Sequence, residues 1–132
     1  LDNGSKLVVL NVGAAALEKI SRLPEAQDDL LFNVGSPATE LRRSVCLANV
    51  LHTLPSRAML ADALMQFLAK RRWKKIFLLE GNLPGDAAIA AAVRGAAKKF
   101  GLDIKYDKRW VDNADMRRTA AAEVPAFTQG RG

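Results

Sequence analysis

The chain has 132 residues, 49% hydrophobic and 26% charged, proportions that belong to an ordinary globular domain and not to a disordered chain. This length allows one modest core and excludes a large multidomain machine, and no run approaches the roughly 20 apolar residues that a bilayer-crossing helix needs. The formal net charge of +6 is unevenly placed, with 6 basic and 7 acidic side chains in residues 1–66 against 14 and 7 in residues 67–132. Such a field favours anionic partners. The basic clusters Lys70–Lys75, Lys98–Lys99 and Lys105–Arg109 nevertheless sit at the ends of predicted helices and strands, without a zinc spacing or a recognition helix, so no nucleic-acid partner is expected. Cys46 is the only cysteine; it can close no internal disulfide, and its apolar flanks predict buried packing. The chain opens Leu1-Asp2-Asn3-Gly4 without the basic region and apolar run of a signal peptide, as a mature or truncated protein would.

In chain order, the β-branched run Leu7–Val12 predicts a strand buried on both faces, and Gly13 with the alanine-rich segment after it predicts a helix over 14–22, closed by Pro24. A second buried strand is expected over 30–34. Ser36 before Pro37 suits an N-cap followed by proline at the first helical position, which places a short helix through Thr39–Leu41. A third strand over 49–53 stops at Pro55. Ser56 then caps a helix over 57–71 whose Met59, Leu60, Ala63, Leu64, Phe67 and Leu68 form the expected apolar stripe. The next strand covers 75–80, and Asp86 is the expected cap of a helix over 86–100, with Ile89, Val93, Ala96 or Ala97 and Phe100 on one face and Gly101 as the stop. A strand over 103–108, with Ile104 and Tyr106 on one side, and a helix over 115–123 complete the series. Alternation of this kind predicts an α/β fold, a Rossmann-like parallel sheet with flanking helices. One more strand would be expected where the chain stops, so the sequence reads as part of a longer α/β protein.

Catalytic motifs are weak. No glycine-rich loop precedes Lys and Ser or Thr, and Asn11-Val12-Gly13-Ala14-Ala15-Ala16 retains one of the three glycines of a dinucleotide fingerprint. His52 is the only histidine; with Cys46 it supplies too few soft ligands for a closed metal site, and at a strand end it is expected to hydrogen-bond locally. Gly35-Ser36-Pro37 is not a nucleophile elbow. The chain therefore reads as non-catalytic, with no cofactor and no metal. In an open parallel sheet, ligands bind beyond the carboxyl ends of the strands, which here are Asn11–Ala14, Asn33–Pro37, Thr53–Arg57 and Glu80–Asp86. Their hydroxyls, amides and free helix N–H groups suit a carboxylate or another small polar solute. The cleft-facing set is expected to be Asn33, Ser36, Thr53, Ser56, Asn82 and Asp86, with Arg57 as anion partner.

The local sequences Leu31-Phe32-Asn33-Val34-Gly35-Ser36-Pro37 and Leu51-His52-Thr53-Leu54-Pro55-Ser56-Arg57-Ala58-Met59-Leu60-Ala61-Asp62-Ala63-Leu64, the Lys74–Glu80 strand with the alanine-rich helix ending Ala96-Ala97-Lys98-Lys99-Phe100-Gly101-Leu102, and the final Glu123–Gly130 together resemble the type I periplasmic solute-binding proteins of ABC transporters. The branch is the one that binds branched-chain amino acids, and the subgroup is the one associated with pyrroloquinoline-quinone-dependent alcohol oxidation. The resemblance implies two Rossmann-like lobes closing on a solute, a periplasmic location and delivery to an ABC transporter permease. Residues 1–54 would be the C-terminal part of lobe one, and residues 55–132 the first part of lobe two after the hinge crossover. Open sheet edges in such a partial chain predict a homodimer. The loop Asn82–Gly85 carries Leu83 and Pro84 where amino-acid binders often place an aromatic residue on the ligand, which points to a different solute. A ligand-sensing α/β domain of a regulator or receptor would use the same fold and cleft, and an α/β enzyme using Cys46 or His52 is the third reading.

Overall fold

The computed structural model describes residues 6–110, 121–122, 124–127 and 129. Its elements are β1 (Leu7–Leu10), α1 (Ala14–Ser21), a 3-10 turn at Pro24–Ala26, β2 (Leu30–Asn33), a second 3-10 turn at Glu40–Arg42, β3 (Val50–His52), α2 (Arg57–Lys70), β4 (Lys75–Glu80), α3 (Asp86–Phe100) and β5 (Asp103–Arg109). The expected α/β fold with parallel strands is present, each element within about two residues of its predicted bounds. Of the helix expected over 115–123, only residues 121 and 122 lie within the described residues, and both are helical. The chain divides into two compact units, Leu1–Leu60 and Ala61–Gly132.

In the first unit, β1, β2 and β3 form a parallel sheet in that order. Val8, Leu31 and Val50 share one face, where Leu17 of α1, Ala38 and Leu41 close over them to make the core. Leu7, Val9 and Leu51 project from the other face and are 65%, 68% and 47% exposed. Burial on both faces, the expectation for the first strand, is thus not met: among the described residues of this unit, the core gathers on the α1 side. Cys46 is also exposed, not packed. It lies in the loop between the second 3-10 turn and β3, where its apolar neighbours Val45 and Leu47 take the places against the core.

The second unit pairs β4 with β5 in parallel. Its core joins Ala61 and Met65 of α2 to Ala96 and Ala97 of α3, with Leu102, and Leu68, Ala69, Ile76 and Ile104 pack around them. The stripe expected on α2 is therefore not the buried one. Met59, Leu60, Leu64 and Phe67 are 53%, 56%, 48% and 50% exposed; of the six residues, Leu68 alone joins the core described here. The physical reason is size. α2 is apolar on two faces, and the one with the smaller residues lets α2 come against the alanines of α3. Likewise Ile89 is exposed, and Ala90, one position on, is buried.

β5 departs from simple alternation. Ile104 is in register with Ile76, but Phe77 is opposite Tyr106, so Lys105 forms a bulge. An extra residue moves everything after it to the opposite face. Ile104 consequently packs in the core, and Tyr106, expected on the same side, stacks on Phe77 across the sheet with centroids 5.2 Å apart. Phe127 meets both rings edge-on, at 5.7 and 6.1 Å. On α3, Arg94 bridges the strands, donating to Asp107 at 2.7 and 2.8 Å and to Glu80 at 2.7 Å. The hydrogen bonds from Arg94 hold the Asp107 carboxyl below its ordinary range.

Both long helices end in the same way. After α3, Gly101 is left-handed (φ 68°) and Leu102 N–H reaches back to Ala97 O at 2.9 Å. After α2, Arg72 takes that place at φ 63°, with Trp73 N–H donating to Leu68 O at 3.0 Å and Arg72 N–H to Ala69 O at 2.9 Å. A side chain in this backbone region is strained and glycine is not. Arg72→Gly is therefore expected to raise stability by about 1 kcal/mol, roughly 4 °C in Tm for a chain of this length, and Gly101→Ala to lower it by a similar amount. Thermal unfolding of the two variants checks both signs; an Arg72→Gly protein no more stable than the parent contradicts the strain argument.

Candidate functional site

At the carboxyl end of the first sheet, the register sets Asn33 of β2 directly beside His52 of β3. Asn33 is fully buried. Its Oδ1 accepts the backbone N–H groups of Gly35 at 3.2 Å and Ser36 at 2.8 Å, and its Nδ2 donates to Ser36 O at 2.8 Å. These bonds fix which end of the amide is nitrogen. Nδ2 therefore also donates to His52 Nδ1, 2.9 Å away, so that ring nitrogen carries no proton. Burial lowers the His52 pKa from its ordinary value, the charge of Arg42 lowers it further, and a hydrogen bond with the Leu41 backbone acts in the opposite sense. The imidazole is accordingly neutral at physiological pH. The local hydrogen bonding expected of His52 is present, and Asn33 proves to be the organiser of the loop that follows it.

That loop approaches the first one closely. A Cβ at Gly35 would lie 2.5 Å from Asn11 Oδ1 and 2.6 Å from Val12 N, so no larger residue fits there without moving backbone. Thr53 ties β3 to β2 by donating from both N–H and Oγ1 to Asn33 O, each at 3.2 Å. Ser56 is buried and caps α2, with Oγ accepting Met59 N–H at 3.2 Å. Ser36 is buried too, and its Oγ accepts Ala38 N–H at 3.5 Å. Ser36 is not the helix cap expected of it: the 3-10 turn begins four residues later, after Thr39, and no side chain caps it. Thr39 serves α2 instead, its Oγ1 accepting Ala58 N–H at 3.2 Å, and Arg57 N–H donates to Pro37 O at 2.9 Å.

The structure thus gathers Asn33, Ser36, Thr53, Ser56 and Arg57 around one set of loops, but it spends the early N–H groups of α2 internally. The orphan donors expected at that helix start are already satisfied. Side-chain groups facing outward are the exposed Thr53 and the half-buried Arg57, whose guanidinium makes no ion pair among the described residues. α1 differs from α2 in beginning at Gly13 with no side-chain cap. Thr39 and His52 lie outside the predicted set of side chains, whereas this bare helix start falls within the strand-end segment Asn11–Ala14 that was expected to offer helix N–H groups. The Asn33–His52 contact spans 19 residues and follows only from the strand register.

Asn82 and Asp86 belong to the second unit. Asn82 is exposed. Asp86 is the first residue of α3, not its cap; Gly85 holds the cap position with φ 102°. The Asp86 carboxylate turns back, accepts Leu83 N–H at 2.9 Å and lies over Gly81, where a Cβ would come within 2.2 Å of it. A small cavity of about 140 Å³ opens there, lined by Glu80, Gly81, Asp86 and Ile89. A larger cavity, about 530 Å³, lies at the opposite, amino ends of β2 and β3 beside Ser21, Asp29, Cys46 and Asn49, away from every residue of the predicted set. Among the described residues no group of three or more His, Cys, Asp or Glu side chains could hold a metal ion, and no described helix is long and apolar enough to cross a membrane.

Solved structures similar to this chain include solute-binding proteins. An ABC transporter substrate-binding protein from Desulfitobacterium hafniense in complex with Leu shares 16% identity, over 96% of this chain and 38% of that chain, with a TM-score of 0.71. A branched chain amino acid ABC transporter periplasmic ligand-binding protein from Burkholderia xenovorans LB400 gives 16% identity, 96% and 33% coverage and a TM-score of 0.76. A periplasmic binding protein from Burkholderia mallei gives 17%, 90% and 32%, with a TM-score of 0.61. No family profile and no functionally curated protein matches the sequence. The chain spans between 32% and 38% of the length of these structures. At such identities the likeness establishes the fold, which is that of type I periplasmic solute-binding proteins.

The committed amide of Asn33 separates it from Asn82. Asn33→Ala leaves the N–H groups of Gly35 and Ser36 without their acceptor and is expected to cost on the order of 1–3 kcal/mol, whereas Asn82→Ala should change stability by less than about 0.5 kcal/mol. Urea unfolding of both variants measures the difference. Equal, small effects would show that Asn33 does not organise the loop.

Proposed function

We propose that this chain is part of the substrate-binding component of an ABC importer, a non-catalytic protein that works in the periplasm, needs no cofactor, and holds a small polar solute between two lobes for transfer to a membrane permease. Residues 1–54 are read as the end of the first lobe and residues 55–132 as the start of the second. The observation that carries the reading is the carboxyl edge of the first sheet, where Arg57, without an ion pair among the described residues, and the exposed Thr53 share one set of loops with the start of α1, which has no side-chain cap. Free backbone N–H groups and a guanidinium together suit a carboxylate. The likeness to the three solved binding proteins, one of them in complex with Leu, supports the same class of solute.

The large exposed apolar residues support a bigger assembly. Leu7, Val9, Leu60, Leu64 and Phe67 are each about half exposed or more, and a helix apolar on two faces is normally covered on both. In this reading the rest of the two lobes covers them; a second copy of the chain is the other means of doing so. Leu83 and Pro84 leave the second unit's loop without an aromatic ring to pack on a solute. The solute is therefore sought among small carboxylates and alcohol-oxidation products of the pyrroloquinoline-quinone-dependent route as well as among branched-chain amino acids.

Calorimetric titration of the full gene product with that panel tests the proposal. A member of the panel is expected to bind, and Arg57→Ala to weaken it by about tenfold or more, the loss of one charge-assisted pair, with unfolding temperature unchanged. Retained affinity in Arg57→Ala, or binding by no member of the panel, contradicts the reading.

A further inference from the structure

The bond between Asn33 Nδ2 and His52 Nδ1 is the one contact of the loop hub that depends on a titratable group. If the ring takes up a proton at Nδ1, two donors face each other. The amide cannot relieve this by turning over, because its Oδ1 already accepts Gly35 and Ser36 N–H and its Nδ2 already donates to Ser36 O. Either the imidazole withdraws or the amide gives up the loop. His52 is also engaged by a hydrogen bond with the Leu41 backbone.

The charged surroundings do not rescue the protonated state. Arg42, from the second 3-10 turn, repels it, and its Nη2 is held in place by donating to Leu54 O. Glu40 and Arg43 on the same turn are exposed and make no hydrogen bond to the ring. The segment Val34–Thr39 carries no charge, and the strand beside His52 offers Asn33 alone at that level. Among the described residues no carboxylate is hydrogen-bonded to the imidazole to receive the new charge.

We propose that His52 is a positioning residue for the solute-facing loop 34–39, holding it through Asn33 while neutral and releasing it on protonation, so that acidification loosens the binding edge of the first unit. The importance of that loop for solute rests on the proposed function; the latch itself does not. The sign follows from linkage. A histidine that is harder to protonate in the folded state than in the unfolded chain contributes stability at neutral pH, which is lost as the pH falls through the folded-state value. The same lowering of protection should appear in the loop's amides.

The test is amide hydrogen exchange of Gly35 and Ser36, expressed as protection relative to intrinsic exchange, together with the ¹⁵N shifts of the His52 ring, at about pH 7.5 and about pH 4.5. In the parent protein the ring should carry its proton on Nε2 at the higher pH, and protection of both amides should fall at least about tenfold at the lower one. His52→Asn, which keeps an acceptor oxygen and cannot titrate, should stay protected at both values. His52→Ala, which has no acceptor, should be unprotected at both. Protection in the parent that is the same at both pH values, whether or not the ring has titrated, overturns the proposal, as does a fall in His52→Asn equal to that of the parent. Titration with L-leucine at both pH values separates the two readings: a loop that follows His52 in a protein that takes up no leucine leaves the latch standing and removes leucine as the solute.

Discussion

The first unit depends on one buried amide. Asn33 ends β2, and its side chain makes bonds that a backbone would otherwise make, accepting two N–H groups and donating to a carbonyl of the turn it begins. An amide has both donor and acceptor capacity at the right separation to do this, where a leucine or an aspartate would leave one kind of group unsatisfied. With the turn fixed, Gly35 is set against Asn11 and Val12, Pro37 O is placed to receive the first N–H of α2, and Thr39 receives the second. The starts of two loops and one helix are thus held by a side chain with no exposure to solvent. Buried polar networks of this kind fix one arrangement when every member is satisfied.

The second unit relies on size. Its core is made largely of alanines, at 61 on α2 and at 96 and 97 on α3, with Met65 and Leu102 as the larger members. Its polar counterpart is Arg94, which spans from Glu80 on β4 to Asp107 on β5 and thereby clips a two-stranded sheet that has no other strand among the described residues. The small residues of the two helices are the ones in the core, and the larger ones stay outward. The chain accordingly shows much apolar surface for its size.

Buried runs bounded by glycine and proline made the strands legible, and amphipathic segments made the helices so, because both signals are local. What was missed is set by contacts across the chain. Asn33 and His52 meet only once β2 and β3 adopt their register. The bulge at Lys105, which separates Ile104 from Tyr106, has no signature in an otherwise alternating strand. On α2 the larger side chains gave the stronger stripe, but packing selected the smaller face. Cap positions moved for a related reason: Ser56 caps α2 as its sequence implies, whereas Asp86 lies one residue inside α3 because Gly85, with its positive φ, can turn the chain where aspartate would be strained. The polar residues at strand ends were correctly placed along the chain. Which of them are spent on the fold and which remain for a solute required the hydrogen bonds.

The central claim is that solute is received at the carboxyl edge organised by Asn33 and not at the cavity beside Asp29 and Asn49 on the opposite edge. Amide chemical-shift mapping on the full gene product, with the tightest-binding member of the solute panel, decides between them. The account predicts that the shifts concentrate at Gly13, Ser36, Thr53 and Arg57 and leave Asp29, Leu47 and Asn49 unmoved. Shifts confined to Asp29, Leu47 and Asn49 would contradict it.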